Sequence, residues 1–454
     1  MKHLHFVGIG GARLSGLAKL YLDRGCKITG SDSQESRVTR NMAQKGIEIS
    51  YGHNAENIHG ADLVVYTTAV GQDNPEVLEA KRLGIPLTEG AELLGKLMTE
   101  VGKGVAIAGT HGKTTTSAMT ALILVEGGLD PTVLIGGELS QFQGNHRTGK
   151  TPYMVVEACE FKRSFLNLKP TIELITNIDW DHPDCFPTLD DVIKTFGDFV
   201  DLLPPDGFLV SWGDDPNAFR LGKSFSGKYI SFGYQDHFDW QIKNIHSVHP
   251  MGIGAELYYH GKSQGELNLK VPGRHNLQNA TGALALAAEL GVEVDSALKT
   301  LAGFTGVQRR FEMKGEYHGT LIVDDYAHHP SAVRTTLAAA RQFFKGRIWC
   351  VFQPHLFSRT KFLLSEFASS FGDADICVLA DIYPAREIDP GDISSKDLAA
   401  AAQKHHRDVR YLGSFEKIFD HLSQNVEPGD LVITMGAGDI WKVGERLVKE
   451  EIKS

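Results

Sequence analysis

Apolar and polar positions alternate in two different periods along the first hundred residues. Short apolar runs, HLHFVG, CKITGSD and ADLVVYTTAV, are typical of strands. Between them lie RVTRNMAQKG and NPEVLEAKRLG, whose mixed apolar and polar positions favour helices. Because strands that alternate with helices form parallel sheets with crossover helices, we expect an α/β unit here.

The same rhythm restarts twice further along the chain. After TEVGKG, which we expect to be a linker, the strand GVAIAG leads to the helix TTSAMTALILVEGG and the strands YMVVEA and ELITNID. The alternating stretch DWQIKNIHSVHPMGIGAELYYH predicts antiparallel strands, and NLQNATGALALAAELG predicts a helix. A third series of strands, TLIVDDY, GRIWCVF, DICVLADIY and DLVITMG, follows residues 301–306. The pattern therefore predicts three α/β domains, at 1–100, 101–304 and 305–454.

Composition narrows the class of protein. The 454 residues are 42% hydrophobic and 22% charged, which is ordinary for globular domains. The formal net charge of −10 argues against a nucleic-acid-binding protein, because phosphate binding over a large footprint needs a basic field. Five widely spaced cysteines without a CxxC pair are typical of reduced thiols. No apolar run approaches the ~20 residues of a membrane span. We expect a cytoplasmic protein with no nucleic-acid or membrane partner.

The first candidate site is a glycine turn between a strand and a helix. In HFVGIGGARLSG, Gly8, Gly10 and Gly11 follow the strand, and Asp32 ends the next strand. That spacing is typical of a dinucleotide-binding fingerprint, but Arg13 stands where the fingerprint has its third glycine. Two interpretations remain: a nicotinamide-dependent oxidoreductase, or a helix N-terminus that receives some other phosphate. We favour the second.

The second candidate site is the loop in AIAGTHGKTTT, which again joins an apolar strand to a helix. Backbone N–H groups of such a loop point at phosphate oxygens, and the helix dipole adds a favourable field. Lys113 would supply a positive charge and Thr114 a hydroxyl ligand for Mg²⁺. The loop is shorter than the common P-loop pattern, and the alternative is a glycine-rich turn with a surface lysine.

Other polar residues follow predicted strands, where ligands of parallel sheets collect. Glu157 and His182 are candidate metal ligands, although a solvated glutamate and a loop histidine would leave the same pattern. Asn276 and Asn279 begin a predicted helix, for which N-capping is the simple explanation. The further candidates are a pair of arginines that could clamp a phosphoryl group and two polar clusters after strands: Arg309 and Arg310; Asp324, Asp325, Tyr326, His328 and His329; His355 and Arg359.

Six stretches of the chain resemble, in the same order, the motifs of the peptidoglycan Mur ligases, which are ATP-dependent enzymes that form amide bonds in cell-wall precursors. These stretches are GTHGKTTT, VEACE, NIDWDHPD, GRHNLQN, RRFE and DDYAHHP. The resemblance covers nearly the whole chain. Four further stretches are similar to the motifs of the family members that add L-alanine: HFVGIGG, DNPEV, FQPHLFSRT and DIYPAREI. The resemblance implies a Rossmann-like N-terminal domain for the uridine nucleotide, a central P-loop-type ATPase domain with a mainly parallel sheet, and a Rossmann-like C-terminal domain for the amino acid.

The resemblance also implies a reaction. L-Alanine would be joined to the lactyl carboxylate of UDP-N-acetylmuramate through an acyl phosphate, with ATP and Mg²⁺, by a monomer or weak homodimer. The alternative within the family is the recycling ligase, which attaches the murein tripeptide to the same sugar nucleotide. A nucleotide-regulated binding protein without turnover is a third interpretation.

The roles implied by the resemblance divide the candidates into five groups. Catalysis would depend on Lys113, Glu157, His182, Arg310 and His328. The UDP part of the substrate would lie against Gly8, Gly10, Gly11, Ser15 and Asp32. ATP would be held by Gly109, Thr110, His111, Gly112, Lys113, Thr114, Thr115, Asn276, Asn279 and Asp325. Mg²⁺ would be bound by Thr114, Glu157 and His182, and L-alanine by Tyr326, His328, His355 and Arg359.

Overall fold

The computed structural model describes residues 2–67, 70–182, 185–248, 251–385 and 387–451. Two residues of the NIDWDHPD motif, 183 and 184, and residue 386 of DIYPAREI lie outside the described residues. The chain forms two compact units. The first comprises the chain up to Ile178, Ile193–Gly233 and Gly282–Ala297, and the second comprises Asp179–Val192, Tyr234–Thr281 and the chain from Leu298 onward.

The first unit begins with a five-stranded sheet in the order β3-β2-β1-β4-β5. All four strand pairs are parallel, as the alternation of strands and helices predicts. The strands are β1 (His3–Val7), β2 (Lys27–Asp32), β3 (Glu48–Tyr51), β4 (Leu63–Tyr66) and β5 (Leu87–Glu89). The helices are α1 (Ala12–Asp23), α2 (Arg37–Gln44), α3 (Pro75–Leu83) and α4 (Gly90–Val101), with a 3₁₀ turn at Ala55–Ile58.

The rest of the first unit contains seven strands in the order β12-β11-β10-β6-β9-β7-β8. Only β8 is antiparallel to its neighbour. The strands are β6 (Lys103–Ala108), β7 (Thr132–Leu139), β8 (Gly144–Arg147), β9 (Tyr153–Glu157), β10 (Pro170–Ile175), β11 (Phe208–Trp212) and β12 (Lys228–Gly233). The helices are α5 (Lys113–Glu126), α6 (Leu189–Val200), which belongs to this unit from Ile193 onward, and α7 (Pro216–Ser224). Two 3₁₀ turns lie at Ser140–Phe142 and Phe161–Asn167.

The second unit contains an antiparallel set of three strands and a six-stranded sheet in the order β16-β17-β21-β18-β19-β20. The antiparallel set is β13 (Trp240–Val248), β14 (Gly252–Tyr259) and β15 (Lys262–Leu269). Helices α8 (Arg274–Glu289) and α9 (Val294–Ala302) follow, and their residues between Gly282 and Ala297 belong to the first unit. The sheet is β16 (Glu312–Tyr317), β17 (Thr320–Asp325), β18 (Ile348–Phe352), β19 (Ile376–Ala380), β20 (Val409–Gly413) and β21 (Leu431–Met435). Its helices are α10 (Pro330–Phe343), α11 (Phe357–Phe362), α12 (Leu364–Ala368), α13 (Ser395–Ala402), α14 (Phe415–Asn425) and α15 (Trp441–Glu451).

The six-stranded sheet buries both of its faces, which explains why its strands are continuous apolar runs. In β18, Cys350 and Phe352 belong to one core cluster, whereas Trp349 and Val351 belong to another. The period of two places one cluster under α10 and α13 and the other under α14 and α15. None of the five cysteines, all of which lie in the described residues, forms a disulfide. No helix in the described ranges has the length and apolar content that a membrane span requires.

One sequence expectation needs correction. TEVGKG is not a linker, because α4 continues to Val101 and β6 starts at Lys103, leaving only Gly102 between them. Gly102 makes this sharp connection with a φ of +126°, a region that favours glycine. The two compact units group the residues differently from the predicted domains, because the first unit holds two sheets. The three-domain division stays a prediction.

Candidate active site

The glycine turn after β1 is braced by the end of β2. The N–H groups of Gly8 and Ile9 donate to the Ser31 carbonyl at 2.8 and 3.0 Å, and the Gly10 N–H donates to Asp32 Oδ2 at 2.8 Å. A Cβ on Gly10 would lie 2.7 Å from that oxygen, so the turn depends on glycine there. The structure therefore uses the Asp32 carboxylate to shape the turn itself.

Helix α1 starts directly after this turn. Gly11 is its N-cap residue, and the buried Ser15 donates its hydroxyl to the Ala12 carbonyl at 3.0 Å. Arg13 extends away from the turn, and its guanidinium donates to Ser164 Oγ at 3.3 Å. The arginine in place of a third glycine is accommodated because its side chain packs elsewhere.

The loop between β6 and α5 has the geometry of a phosphate-binding loop. Gly109 and Gly112 have φ of +139° and +82°, and a Cβ on Gly109 would lie 1.9 Å from Thr176 Oγ1. The His111 N–H donates to Asn177 Oδ1 at 2.9 Å, which fixes the loop. The N-cap residue of α5 is Gly112, which has no side chain. No side chain of the cap therefore lies over the positive end of the helix dipole, where a phosphate would bind. The other predicted ATP ligands lie in this loop and the first turn of α5: Thr110, Lys113, Thr114 and Thr115.

Lys113 is a largely buried cation with a fully buried partner, since its side chain is 13% exposed and that of Glu160 is 3% exposed. Its Nζ lies 3.0 Å from Glu160 Oε2 and donates to the carbonyl oxygens of residues 109 and 110. Burial lowers the pKa of Lys113, but Glu160 and the nearby Glu157 carboxylate are among the groups that outweigh burial and hold this pKa above its ordinary value. The alternative of a solvated surface lysine is therefore wrong.

Glu157 ends β9 close to the same loop. Its Oε2 accepts the N–H of Gly136 at 2.7 Å, and a Cβ on Gly136 would lie 2.6 Å from that oxygen. Its other oxygen accepts no hydrogen bond from any described residue, so one carboxylate oxygen remains to bind a hard cation such as Mg²⁺.

In the second unit the two adjacent arginines differ in their surroundings. Arg309 donates from Nε to Asp324 Oδ2 at 2.9 Å and from a terminal nitrogen to the Gly436 carbonyl at 2.6 Å. The guanidinium carbon of Arg310 lies 5.1 Å from the centre of the Tyr326 ring. The guanidinium carbon of Arg309 lies 5.0 Å from the centre of the same ring. Arg309 therefore joins parts of the unit, and the phosphoryl role of Arg310 stays a prediction.

Asp325 is a buried carboxylate at the end of β17. Its two oxygens accept the N–H groups of Phe311 and Ala327 at 2.8 and 2.7 Å. Burial raises the pKa of Asp325, and Arg310 opposes this without cancelling it. Both oxygens of this predicted nucleotide ligand thus hold backbone groups in the structure.

Asn276 and Asn279 lie inside α8, not at its N-cap. Helix α8 begins at Arg274, and Asn276 Nδ2 donates to the Pro272 carbonyl at 2.6 Å. Asn279 Nδ2 in turn lies 3.4 Å from Asn276 Oδ1. The N-capping explanation is wrong, and the two buried amides form a polar pair at the start of the helix.

The four predicted L-alanine ligands lie together. The rings of Tyr326 and His328 are 5.3 Å apart, those of His328 and His355 are 6.0 Å apart, and Arg359 has a terminal nitrogen 3.3 Å from His355 Nδ1. Burial and the Arg359 charge hold the pKa of His328 well below its ordinary value. His328 Nδ1 lies 2.9 Å from the Tyr326 carbonyl, which can only accept, so Nε2 of the neutral ring carries the lone pair.

Sequence reasoning assigned no role to two residues that the structure places beside the predicted ones. Glu160 pairs with Lys113, and Asp181 lies with Oδ1 3.3 Å from a terminal nitrogen of Arg359. The N–H of His182, which has a φ of +56°, donates to Asp181 Oδ1 at 2.6 Å. Glu160 belongs to the VEACE motif and Asp181 to the NIDWDHPD motif. Their position beside predicted site residues was the sequence signal that could have identified them.

Comparisons with known proteins agree along the whole chain. Residues 3–101 match the Mur ligase family, catalytic domain, residues 107–287 match the Mur ligase middle domain, and residues 309–438 match the Mur ligase glutamate ligase domain. The UDP-N-acetylmuramate–L-alanine ligase of Caldanaerobacter subterraneus is 45% identical over 452 residues, covering 100% of this chain and 98% of the relative.

Solved structures give the same result. The UDP-N-acetylmuramate–alanine ligase of Thermotoga maritima superposes with a TM-score of 0.86 at 28% identity, covering 100% of both chains. A murein peptide ligase of Psychrobacter arcticus gives a TM-score of 0.73 at 26% identity, covering 99% of this chain and 98% of that one. The oxidoreductase interpretation is not supported by any of these matches. On its motifs, its fold and these similarities, the chain belongs to the Mur ligase family.

Proposed function

We propose that the chain joins L-alanine to the lactyl carboxylate of UDP-N-acetylmuramate, with ATP converted to ADP and phosphate. The observation that carries the proposal is the 45% identity, over full length, to a protein named as this ligase. A buried guanidinium, that of Arg359, beside His355 and His328 supports the proposal, because such a group binds a small carboxylate.

The proposed substrates divide among the chain segments. Residues 1–100 would hold the uridine nucleotide against Gly8, Gly10, Gly11, Ser15 and Asp32. Residues 101–304 would hold ATP, and residues 305–454 the amino acid. The three family segments, 3–101, 107–287 and 309–438, support this division. Because both nucleotides are intracellular metabolites, the reaction would take place in the cytoplasm.

ATP and Mg²⁺ would be held by the phosphate loop and the groups beside it. Loop N–H groups would take phosphate oxygens, and Lys113 would reach the β- and γ-phosphates. Thr114 and Glu157 would bind one Mg²⁺ and His182 a second, while Asn276, Asn279 and Asp325 would contact the nucleotide. Bound Mg²⁺ neutralises phosphate charge as it develops.

The chemistry explains why so many cations are needed. A carboxylate is a poor acyl donor, so it is first phosphorylated, and two anions must approach each other. Lys113 and Arg310 offset that repulsion and stabilise the phosphoryl charge. The alanine amine then attacks the acyl phosphate, phosphate leaves and an amide remains. Because His328 Nδ1 is directed at the Tyr326 carbonyl, its Nε2 would be the ring atom that accepts a hydrogen bond from the alanine amine.

The test measures phosphate release from ATP with Mg²⁺ and UDP-N-acetylmuramate. Three conditions are compared: no amino donor, L-alanine, and the alanyl-glutamyl-diaminopimelate tripeptide. Release that requires both the sugar nucleotide and L-alanine, and that is lost in Lys113→Ala, is the expected result. Release with the tripeptide alone would assign the chain to the recycling branch, and no release with any donor would overturn the ligase proposal.

A further inference from the structure

The DNPEV stretch, to which the proposed function gives no role, places a carboxylate inside the first unit. Asn74 is the N-cap residue of α3, and its Oδ1 accepts the N–H groups of Glu76 and Val77 at 2.9 and 3.4 Å. Pro75 takes the first helical position, where the helix needs no N–H. Glu76 follows in the first turn, with 0% of its side chain exposed. The start of α3 therefore fixes the position of a fully buried acid.

Both oxygens of the Glu76 carboxylate accept hydrogen bonds from other parts of the first sheet. Oε2 accepts the Ser31 hydroxyl at 2.6 Å, and Oε1 accepts Nδ2 of Asn57 at 2.5 Å. Nδ1 of His53 lies 3.1 Å from Oε2. The carboxylate thus connects α3 to the end of β2 and to the segment that follows β3.

Both of these connections lead to Asp32 and the glycine turn. Ser31 precedes Asp32 in β2, and its carbonyl accepts two N–H groups of the turn. Asn57 Nδ2 also donates to the Gly52 carbonyl at 3.2 Å, and the Gly52 N–H donates to the Asp32 carbonyl at 2.8 Å. Asp32 in turn accepts the Gly10 N–H through its side chain. One buried carboxylate therefore stands behind the residue that shapes the turn.

Glu76 stays ionised despite its burial. Burial raises the pKa of Glu76, but His5, Ser31 and Asn57 outweigh burial and hold this pKa below its ordinary value. The buried His5 contributes from Nε2, which lies 3.8 Å from Glu76 Oε1. A buried ion contributes little to stability compared with an apolar side chain of similar volume. The presence of this charge indicates a role in arranging its neighbours.

We propose that Glu76 is a positioning residue of the sugar-nucleotide site, which holds Ser31 and Asn57 so that Asp32 keeps the glycine turn in the shape that receives the diphosphate. The inference rests on the proposed function, since that function assigns the uridine nucleotide to the turn. A carboxylate suits this place because each of its oxygens accepts a hydrogen bond. An amide would accept through one terminal atom and donate through the other.

The first test measures KM values for Glu76→Met in the phosphate-release assay. Methionine is unbranched, and its sulfur is only a weak acceptor. The KM for UDP-N-acetylmuramate should rise by about 10-fold or more, because the donors that held the end of β2 lose their partner. The KM values for ATP and L-alanine should stay within about twofold.

Glu76→Gln is the conservative variant in the same assay. It can still accept one of the two hydrogen bonds, so its KM for the sugar nucleotide should lie between those of the unmodified protein and Glu76→Met. A merely structural role would change the active fraction or raise the three KM values together. Either that result or an unchanged KM for the sugar nucleotide would overturn the proposal.

The second test uses Ser31→Ala, which removes the hydroxyl but keeps the carbonyl that holds the turn. UDP is the probe, and calorimetry gives its dissociation constant without turnover. Ser31→Ala should weaken UDP binding by about threefold to tenfold, but it should add almost nothing in a Glu76→Met background, because the same hydrogen bond is already lost. Additive losses would contradict the proposal. If Glu76→Met does not fold, Glu76→Gln replaces it, and the combined loss should still be smaller than the sum.

The matched control is Glu79→Met, one turn further along α3. Glu79 is half-buried and accepts hydrogen bonds from Arg82 on the same helix. This variant should leave the KM for the sugar nucleotide and the UDP dissociation constant within about twofold. Failure of the proposed function would appear as no L-alanine-dependent release in the unmodified protein, whereas the UDP measurements would still decide the role of Glu76.

Discussion

At the residue scale, the Lys113–Glu160 pair leads to a stability prediction. Glu160→Gln keeps a hydrogen-bonding group but removes the charge that compensates the buried ammonium. We expect the free energy of unfolding of the nucleotide-free protein to fall by about 3 kcal/mol, because breaking a buried pair leaves one charge uncompensated. Thermal and denaturant unfolding would measure this loss.

Nucleotide binding provides a second observation on the same variant. Phosphate oxygens would replace the lost negative charge, so ADP should raise the melting temperature more in Glu160→Gln than in the unmodified protein. Glu138→Gln, which removes the half-buried partner of the exposed Arg37, is the control and should change neither value appreciably. An unchanged stability of Glu160→Gln would show that the pair contributes little.

Glu173 gives a pH prediction. It lies fully buried on β10, and neither carboxylate oxygen has a hydrogen-bond partner among the described residues. Burial and then the Asp201 charge raise the pKa of Glu173 well above its ordinary value of 4.5. A carboxyl group whose pKa is higher in the folded than in the unfolded state contributes to the free energy of unfolding. This stabilising contribution is fully present below about pH 4.5 and is lost as pH rises through the folded-state pKa.

Glu173→Gln cannot ionise and should therefore remove this pH dependence. The variant should unfold at a higher temperature than the unmodified protein at pH 8, and the difference should shrink or reverse near pH 4.5. Glu48→Gln, at an exposed position on β3, is the control for the loss of one charge. Parallel stability–pH curves for Glu173→Gln and the unmodified protein would refute the assignment.

At the scale of elements, two helical glycines should respond in opposite ways to the same substitution. A Cβ on Gly95 of α4 would lie 2.0 Å from the backbone oxygen of Asn167, which cannot move without distorting its own segment. A Cβ on Gly197 of α6 would meet only Leu221 Cδ2, at an ordinary 3.8 Å. Gly95→Ala should therefore destabilise by about 2 kcal/mol or more, whereas Gly197→Ala should stabilise by about 0.5–1 kcal/mol. Melting temperatures of the two variants check both signs, and equal shifts would mean that close packing at Gly95 does not matter.

The elements themselves were largely predictable because their signals are local. The apolar runs of β1, β9, β18 and β21 and the antiparallel β13–β14 pair follow from periods within a few residues. The wrong prediction of a linker at residues 99–104 also comes from a local signal. The composition of this stretch is typical of a loop, but Gly102 alone forms the sharp connection between α4 and β6. Strand order was not predictable from local periods, because it depends on pairs that are far apart in the chain.

The candidate site divides in the same way. The phosphate loop and the polar ends of β9 and β17 were identified because their residues are contiguous. The partners of these residues were not, because Lys113 and Glu160 are 47 residues apart and Arg359 and Asp181 are 178 residues apart. The hydrogen bond by which Asp32 holds the glycine turn was not predicted either. A motif shows the position of a carboxylate but not which N–H group donates to it.

At the scale of the whole molecule, the glycine turn at Gly8–Gly11 and the loop at Gly109–Lys113 should bind different nucleotides independently. UDP and ADP, each at about 100 times its dissociation constant, should each stabilise the protein by about 2.7 kcal/mol. Gly10→Ala would push Cβ against Asp32 and should abolish the UDP shift while keeping the ADP shift. Lys113→Ala should abolish the ADP shift while keeping the UDP shift.

Loss of both shifts in either variant would mean that the two sites are not independent. A rise in melting temperature with a nicotinamide dinucleotide, but not with UDP, would restore the oxidoreductase interpretation of the turn.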